Sequence, residues 1–361
     1  MSLATPRFYS PAHAADFHYR PDLAKVFDAA TEWRRQRRIA PSSTDRFIIH
    51  LLLIDMQKDF CFPEGSLYVG GRSGTGAIDD SRRVAEFIYK NLDRLTDLTA
   101  TLDTHFAFQI FFAAFWVNEV GEPLNSHSLI DLDHGELVNL GLDGKVIHRN
   151  VRPNPAMAKW LCGNNYGWLL EQVKFYVAEL KRAGKYSLYL WPPHTMLGSE
   201  GHALVGLVYE ALMFHSYVRG AQSWTEVKGG NPLTENYSVL RPEVLSRFDG
   251  KPLGQKNAGF VKKLLNSDAV IIAGQAASHC VKSSIDDLLD EIMAADPTLA
   301  AKVYILGDCM SSVAVPDGCG GFAADFTPQA EEALQRFAAA GMHVVRSTDP
   351  IETWPGLGHL S

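Results

Sequence analysis

Phe47-Ile48-Ile49-His50-Leu51-Leu52-Leu53-Ile54-Asp55 is a strand-sized apolar run that ends on a carboxylate. Runs of the same kind recur at Leu98–Leu102, Tyr186–Leu190, Trp224–Val227, Ala269–Ala273, Val303–Leu306 and His343–Val345. Between them the apolar residues fall three and four apart: Val84, Phe87, Ile88, Leu92 and Leu95, then Ile285, Leu288, Leu289 and Ile292, then Ala330, Leu334 and Phe337. Strand alternating with helix is the pattern of a parallel sheet covered on both faces. The expected fold is therefore α/β, three layers α/β/α, around a central, mostly parallel sheet of six or seven strands.

Ligands in such folds sit beyond the carboxyl ends of the strands. Asp55 closes the first run, Asp103 the second with His105 just after it, Lys228 follows Val227, and the Ala269–Ala273 run leads into the turn before Cys280. All of these chemically capable side chains are expected at one edge of the sheet.

Residues 1–45 are polar and proline-punctuated, with basic Arg34, Arg35, Arg37 and Arg38, and read as an arm carrying one short helix around Asp22–Arg37. The main domain is expected over 46–348 and a tail over 349–361. Residues about 106–184 break the strand–helix alternation with the aromatic run Phe106–Trp116 and an amphipathic stretch in which Leu169, Val173, Val177 and Leu180 share a face. That segment is expected to be an insertion at the active edge, serving as a lid or an oligomer contact.

The 361 residues carry 34 Lys+Arg against 41 Asp+Glu, a net charge of −7, so the basic footprint of nucleic-acid binding is missing. No apolar run reaches the ~20 residues of a membrane span. Met1-Ser2-Leu3-Ala4 does not open a secretory signal, and a cytoplasmic protein is expected. Five scattered cysteines, Cys61, Cys162, Cys280, Cys309 and Cys319, argue against a disulfide framework and leave room for a working thiol.

Cys280 has the strongest case, because a thiol between a strand and a helix feels the helix dipole and unpaired N–H groups, both of which favour thiolate. Asp55, a carboxylate leaving an apolar strand, is costly unless paired or catalytic. With Lys228 they make a plausible nucleophile set; the bland alternative for Asp55 and Lys228 is a structural salt bridge. Asp103 and His105 share one side of an extended segment, and His194 would complete an open three-ligand metal site.

Here the residues begin to resemble a family. Leu53-Ile54-Asp55-Met56-Gln57-Lys58-Asp59-Phe60-Cys61 with Gly65-Ser66-Leu67 is similar to the opening motif of nicotinamidases among the isochorismatase-like cysteine hydrolases. Asp103-x-His105, Trp191-Pro192-Pro193-His194, Val227-Lys228-Gly229 with Tyr237-Ser238, and Gly274-Gln275-Ala276-Ala277-Ser278-His279-Cys280-Val281 follow in the family's order, so the resemblance covers about 46–115 and 186–348.

The resemblance implies a catalytic triad of Asp55, Lys228 and Cys280 and metal ligands Asp103, His105 and His194. It also implies a cis peptide between Gln275 and Ala276, an oxyanion site of the Ala276 and Cys280 N–H groups, and aromatic walls Phe60 and Trp191 around a flat ring. The sequence departs from it in three ways, one of them Thr195 where a cysteine commonly follows the Trp-Pro-Pro-His motif. Phe111 stands where some members carry a further histidine ligand, and 89 positions separate His105 from His194, much farther than in compact members.

The expected activity is hydrolysis of a small (hetero)aromatic carboxamide such as nicotinamide to acid and ammonia through a thioester. A divalent metal is expected, Zn²⁺ before Mn²⁺ or Fe²⁺, together with a small-molecule amide substrate, no nucleic-acid or membrane partner, and a possible homo-oligomer. The alternatives are isochorismate ether or N-carbamoyl amide hydrolysis, direct attack by metal-bound water, and a non-catalytic binding or scaffold relative.

Overall fold

The computed structural model describes residues 3–360. Met1 and Ser2 of the expected arm and Ser361 of the expected tail lie outside the described residues.

Six parallel strands form the central sheet in the order His343–Val345, Val303–Leu306, Ala269–Gly274, Ile49–Ile54, Asp97–Asp103, Trp224–Lys228. Every pairing is parallel. The chain lays down three strands toward one edge, then returns to the middle and lays down three toward the other. The direction reverses between Ile49–Ile54 and Ala269–Gly274, and a crevice opens beyond the carboxyl ends at such a switch point. Asp55 and Gln275 are the next residues on these two strands.

Side-chain alternation in the first strand builds two cores. Leu51 and Leu53 pack with the layer that contains helices Leu23–Arg37, Gly76–Lys90 and Gly206–Arg219. Leu52 and Ile54 pack with the opposite layer of Ala258–Asn266, Lys282–Ala295 and Thr327–Ala339. Each fully buried aliphatic side chain contributes about 1.5–3 kcal/mol, and all six residues of Ile49–Ile54 are buried. Helix Leu23–Arg37 is capped by Asp22, which accepts from the Ala24 and Lys25 N–H groups, and it buries Val26 and Ala30.

The Tyr186–Leu190 run does not join this sheet. Its Leu188–Leu190 portion pairs antiparallel with Ser128–Asp133 in a separate four-stranded sheet ordered Val146–Arg149, Glu136–Leu140, Ser128–Asp133, Leu188–Leu190. An apolar pattern marks a strand but not its partner, and here the partner lies in the segment without alternating elements. Helix Tyr166–Arg182 covers this second sheet with Leu169, Val173, Tyr176, Val177 and Leu180, giving a third core. Among the described residues no helix is long and apolar enough to cross a membrane.

Candidate active site

The end of the first strand turns sharply, with Asp55 at φ 47°. Its backbone N–H donates to Thr101 Oγ1 at 2.9 Å, and the Thr101 hydroxyl donates back to Asp55 Oδ1. Asp55 is thus held from the neighbouring strand. Asp103 and Lys228 are register partners on the next strand pair, which sets the ammonium beside both carboxylates. Lys228 Nζ lies 2.9 Å from Asp55 Oδ2 and 3.0 Å from Asp103 Oδ1. It also donates to the Asn236 carbonyl at 3.0 Å and approaches Cys280 Sγ at 3.6 Å.

Cys280 sits in a π-helical turn, Ala277–Val281, that precedes helix Lys282–Ala295. The preceding Gln275–Ala276 peptide is cis. The Gln275 side chain donates to buried Asp80 at 2.8 Å, and Asp80 also accepts from the Ser311 hydroxyl at 2.6 Å.

Burial decides the electrostatics. Desolvation pushes the Asp55 carboxyl up from its ordinary range, against the pull of Lys228. Desolvation also pushes the Cys280 thiol well above its usual value, with Lys228 opposing and Asp55 adding to the rise. The sequence argument from the helix dipole favoured a thiolate; in this buried pocket the loss of solvation outweighs it and favours the thiol. Burial would lower Lys228, but the Asp103 and Asp55 carboxylates outweigh it and hold the amine protonated. Asp103 likewise resists the upward push of burial, because His105 and Lys228 keep it ionised.

Asp103, His105 and His194 are all buried, and their ligand atoms lie within 4.8 Å of one another. Asp103 Oδ2 is 2.8 Å from His105 Nε2 and 3.7 Å from His194 Nε2. On their other sides, His105 Nδ1 is 3.1 Å from the Gly229 carbonyl and His194 Nδ1 is 2.7 Å from the Pro192 carbonyl. A carbonyl can only accept, so each ring donates through Nδ1, which leaves the two Nε2 atoms grouped beside one Asp103 oxygen as the atoms a cation between them would meet. That donor set can hold a divalent cation.

Several residues that support this site have no role in the motif reading. The Gln57 side chain brackets the Asp103 backbone, donating to its carbonyl at 2.9 Å and accepting from its N–H at 2.8 Å. Asp59 accepts from the Thr195 N–H at 2.7 Å, tying down the loop that carries His194. Phe60 and Trp191 are both buried. Phe60, Trp191, Tyr237, His279, Asp103 and Cys280 line a pocket of about 40 Å³. Trp191 Nε1 donates to the Tyr237 hydroxyl at 2.8 Å, which donates on to Glu235 at 2.7 Å.

Glu235 is 2% exposed and also accepts from the Tyr176 hydroxyl at 3.2 Å. Burial pushes its carboxyl up to about 8, against the hydrogen bonds of the surrounding tyrosines. Between the ordinary glutamate range and that value, the folded state keeps a proton that the unfolded chain has released. Its contribution to stability is therefore complete below the ordinary range and is lost as pH rises toward 8. Glu235→Gln should flatten the fall in unfolding free energy between about pH 5 and 8, by at most about 1.4 kcal/mol per pH unit. Urea unfolding curves at several pH values check this; an unchanged slope would show that Glu235 is not the group responsible.

No protein-family model and no curated protein sequence matches the chain. Among solved structures, a nicotinamidase/pyrazinamidase of Acinetobacter baumanii is 18% identical, with 83% of this chain and 97% of that chain covered and a TM-score of 0.46. The yeast nicotinamidase bound to the inhibitor nicotinaldehyde is 16% identical over 83% and 100% of the two chains, with a TM-score of 0.46. The pyrazinamidase of Pyrococcus horikoshii in complex with zinc is 17% identical over 82% and 98%, with a TM-score of 0.41.

Proposed function

We propose that the chain is a cysteine amidohydrolase of the nicotinamidase type, converting a small (hetero)aromatic carboxamide to the acid and ammonia. One observation carries this reading: a single buried ammonium, Lys228, reaches Asp55 at 2.9 Å and the Cys280 sulfur at 3.6 Å. A carboxylate made more basic by burial, next to a thiol, is a general base matched to a nucleophile.

Asp55 takes the proton of Cys280 as the sulfur bonds to the carboxamide carbon. The charge that develops on the carbonyl oxygen is received by the N–H groups of Ala276 and Cys280, where loss of one donor costs about 10²–10³ in rate. Lys228 holds the thiolate and keeps Asp55 aimed. Protonated Asp55 then gives its proton to the departing nitrogen, the C–N bond breaks, and ammonia leaves a thioester on Cys280. Asp55 next takes a proton from pocket water as that water attacks the thioester carbon; the acid departs and the proton returns to the thiol. Phe60 and Trp191 hold the ring flat between them. Asp103, His105 and His194 would hold a divalent cation, Zn²⁺ before Mn²⁺ or Fe²⁺, that supplies Lewis acidity and orients a ring nitrogen.

Ammonia release from nicotinamide and a small amide panel, with and without a chelator, tests the reading. Turnover that falls with chelation and returns with zinc supports it; no turnover of any amide would refute it.

Gly229 supplies a sharper test of the cation. It has φ +86°, and a Cβ there would lie 2.6 Å from His105 Cε1 and 2.7 Å from Asp103 Oδ1. Gly229→Ala should weaken zinc binding about 10–100-fold, the usual range for disturbing groups around a metal's ligands. Competition with a fluorescent chelator measures it; unchanged affinity would place the metal elsewhere.

A further inference from the structure

The pocket at Cys280 is too small to be a whole substrate site. Its 40 Å³ has room for roughly three waters. Directly beyond it lies a groove of about 530 Å³. Trp191, Tyr237 and His279 belong to the walls of both cavities, so the two spaces adjoin at these side chains. Small-molecule sites commonly occupy about 300–1,000 Å³. The groove falls in that range and the inner pocket alone does not.

The walls of the groove come from separate parts of the chain. Leu129 and Tyr189 stand on the second sheet, while Ala324 and Phe326 come from residues just ahead of helix Thr327–Ala339. His279 stacks edge-on against Trp191 and Phe326, with centroids at 5.3 and 4.9 Å, and so joins the inner wall to the outer one. Two ammonium groups, Lys185 and Lys282, also line the groove, but each is held by a carboxylate: Lys185 by Glu243, and Lys282 by Asp286 at 2.9 Å. Burial lowers His279 to about 4, which leaves its ring neutral. Ser187, Ser278, Ser283 and Gln329 add uncharged polar groups, so the surface on offer is mainly aromatic and aliphatic, and its cations are paired.

We propose that this groove is the distal half of the substrate site, and that the substrate is a primary aromatic carboxamide whose ring carries an uncharged, apolar extension. The inference rests on the amidohydrolase reading and narrows it. The amide and its ring sit in the inner pocket at Cys280, and the extension passes Trp191, Tyr237 and His279 to lie between Leu129 and Ala324. The second sheet is then a specificity element, since it supplies one wall of the groove.

The test compares nicotinamide with derivatives bearing one phenyl group at each open ring carbon. At least one derivative should exceed nicotinamide in kcat/KM about tenfold or more, since a phenyl group in the groove takes a large apolar area out of water. Leu129→Trp and Ala324→Trp, on opposite walls, should each reduce that preference about tenfold; the ratio discounts any general loss of folded protein. Nicotinamide as the best of the series, or a preference unmoved in both variants, would overturn the proposal. Failure of the catalytic reading is visible separately, as no turnover of any amide. Calorimetry on the Cys280→Ala protein then decides the groove: tighter binding of a phenyl derivative that Leu129→Trp abolishes supports it, and equal or weaker binding overturns it.

Discussion

Cys280→Ala should reduce ammonia release by a factor on the order of 10⁴ or more, as removal of a nucleophile does in enzymes that work through a covalent intermediate. No second thiol lines the pocket: Cys61 and Cys309 are buried in the core on the face of the sheet that carries Leu51. The variant should fold normally, because the resting thiol is neutral and its loss strands no charge. Zinc content should not change, since the proposed ligands Asp103, His105 and His194 make no bond to the sulfur. Activity assays, thermal unfolding and metal analysis of one preparation check all three statements. Retained turnover would favour direct attack by water.

Lys228→Met should have the second largest effect, and it acts on the fold as well as on the chemistry. The ammonium is 2.9 Å from one buried carboxylate and 3.0 Å from another. Removing it leaves buried Asp55 without its charged partner and Asp103 with His105 alone, a loss of the kind that costs about 3–5 kcal/mol. Asp55 would then reduce that cost by keeping its proton, which is the state that cannot accept one from the thiol. We expect kcat to fall by at least about 10³. The deficit in stability should shrink as pH falls toward the ordinary carboxylate range and the stranded carboxylates take up protons, because a raised carboxyl contributes most where it is protonated. Unfolding curves at pH 4.5 and 7.5 test the sign; a deficit that grows in acid would contradict this account.

Much of this was legible in the sequence. The strand run ending at Asp55, the runs before Lys228 and Cys280, and the alternation with helical stretches placed three separated residues at one sheet edge, and the parallel sheet joins them. The assignment of Tyr186–Leu190 to the main sheet was not recoverable in the same way. Apolar periodicity reports that a strand is buried, and only the tertiary pairing with Ser128–Asp133 reveals against what. Thr101, Gln57 and Asp59 were hidden for a different reason. Each acts through the backbone or carboxylate of another residue, and nothing in their own spacing marks them, although Gln57 and Asp59 stand inside the opening motif. The thiol's protonation was misjudged because a helix terminus is visible in a sequence and the depth of burial is not.

The most direct test of a thiol, acid and amine acting together is acid quench of the enzyme during turnover of a carboxamide, followed by mass analysis of the peptide that contains Cys280. The account predicts a mass increase equal to the acyl group on that cysteine, absent in Cys280→Ala and reduced when Asp55 is replaced by Asn. Steady ammonia release with an unmodified Cys280 peptide at every quench time would contradict it.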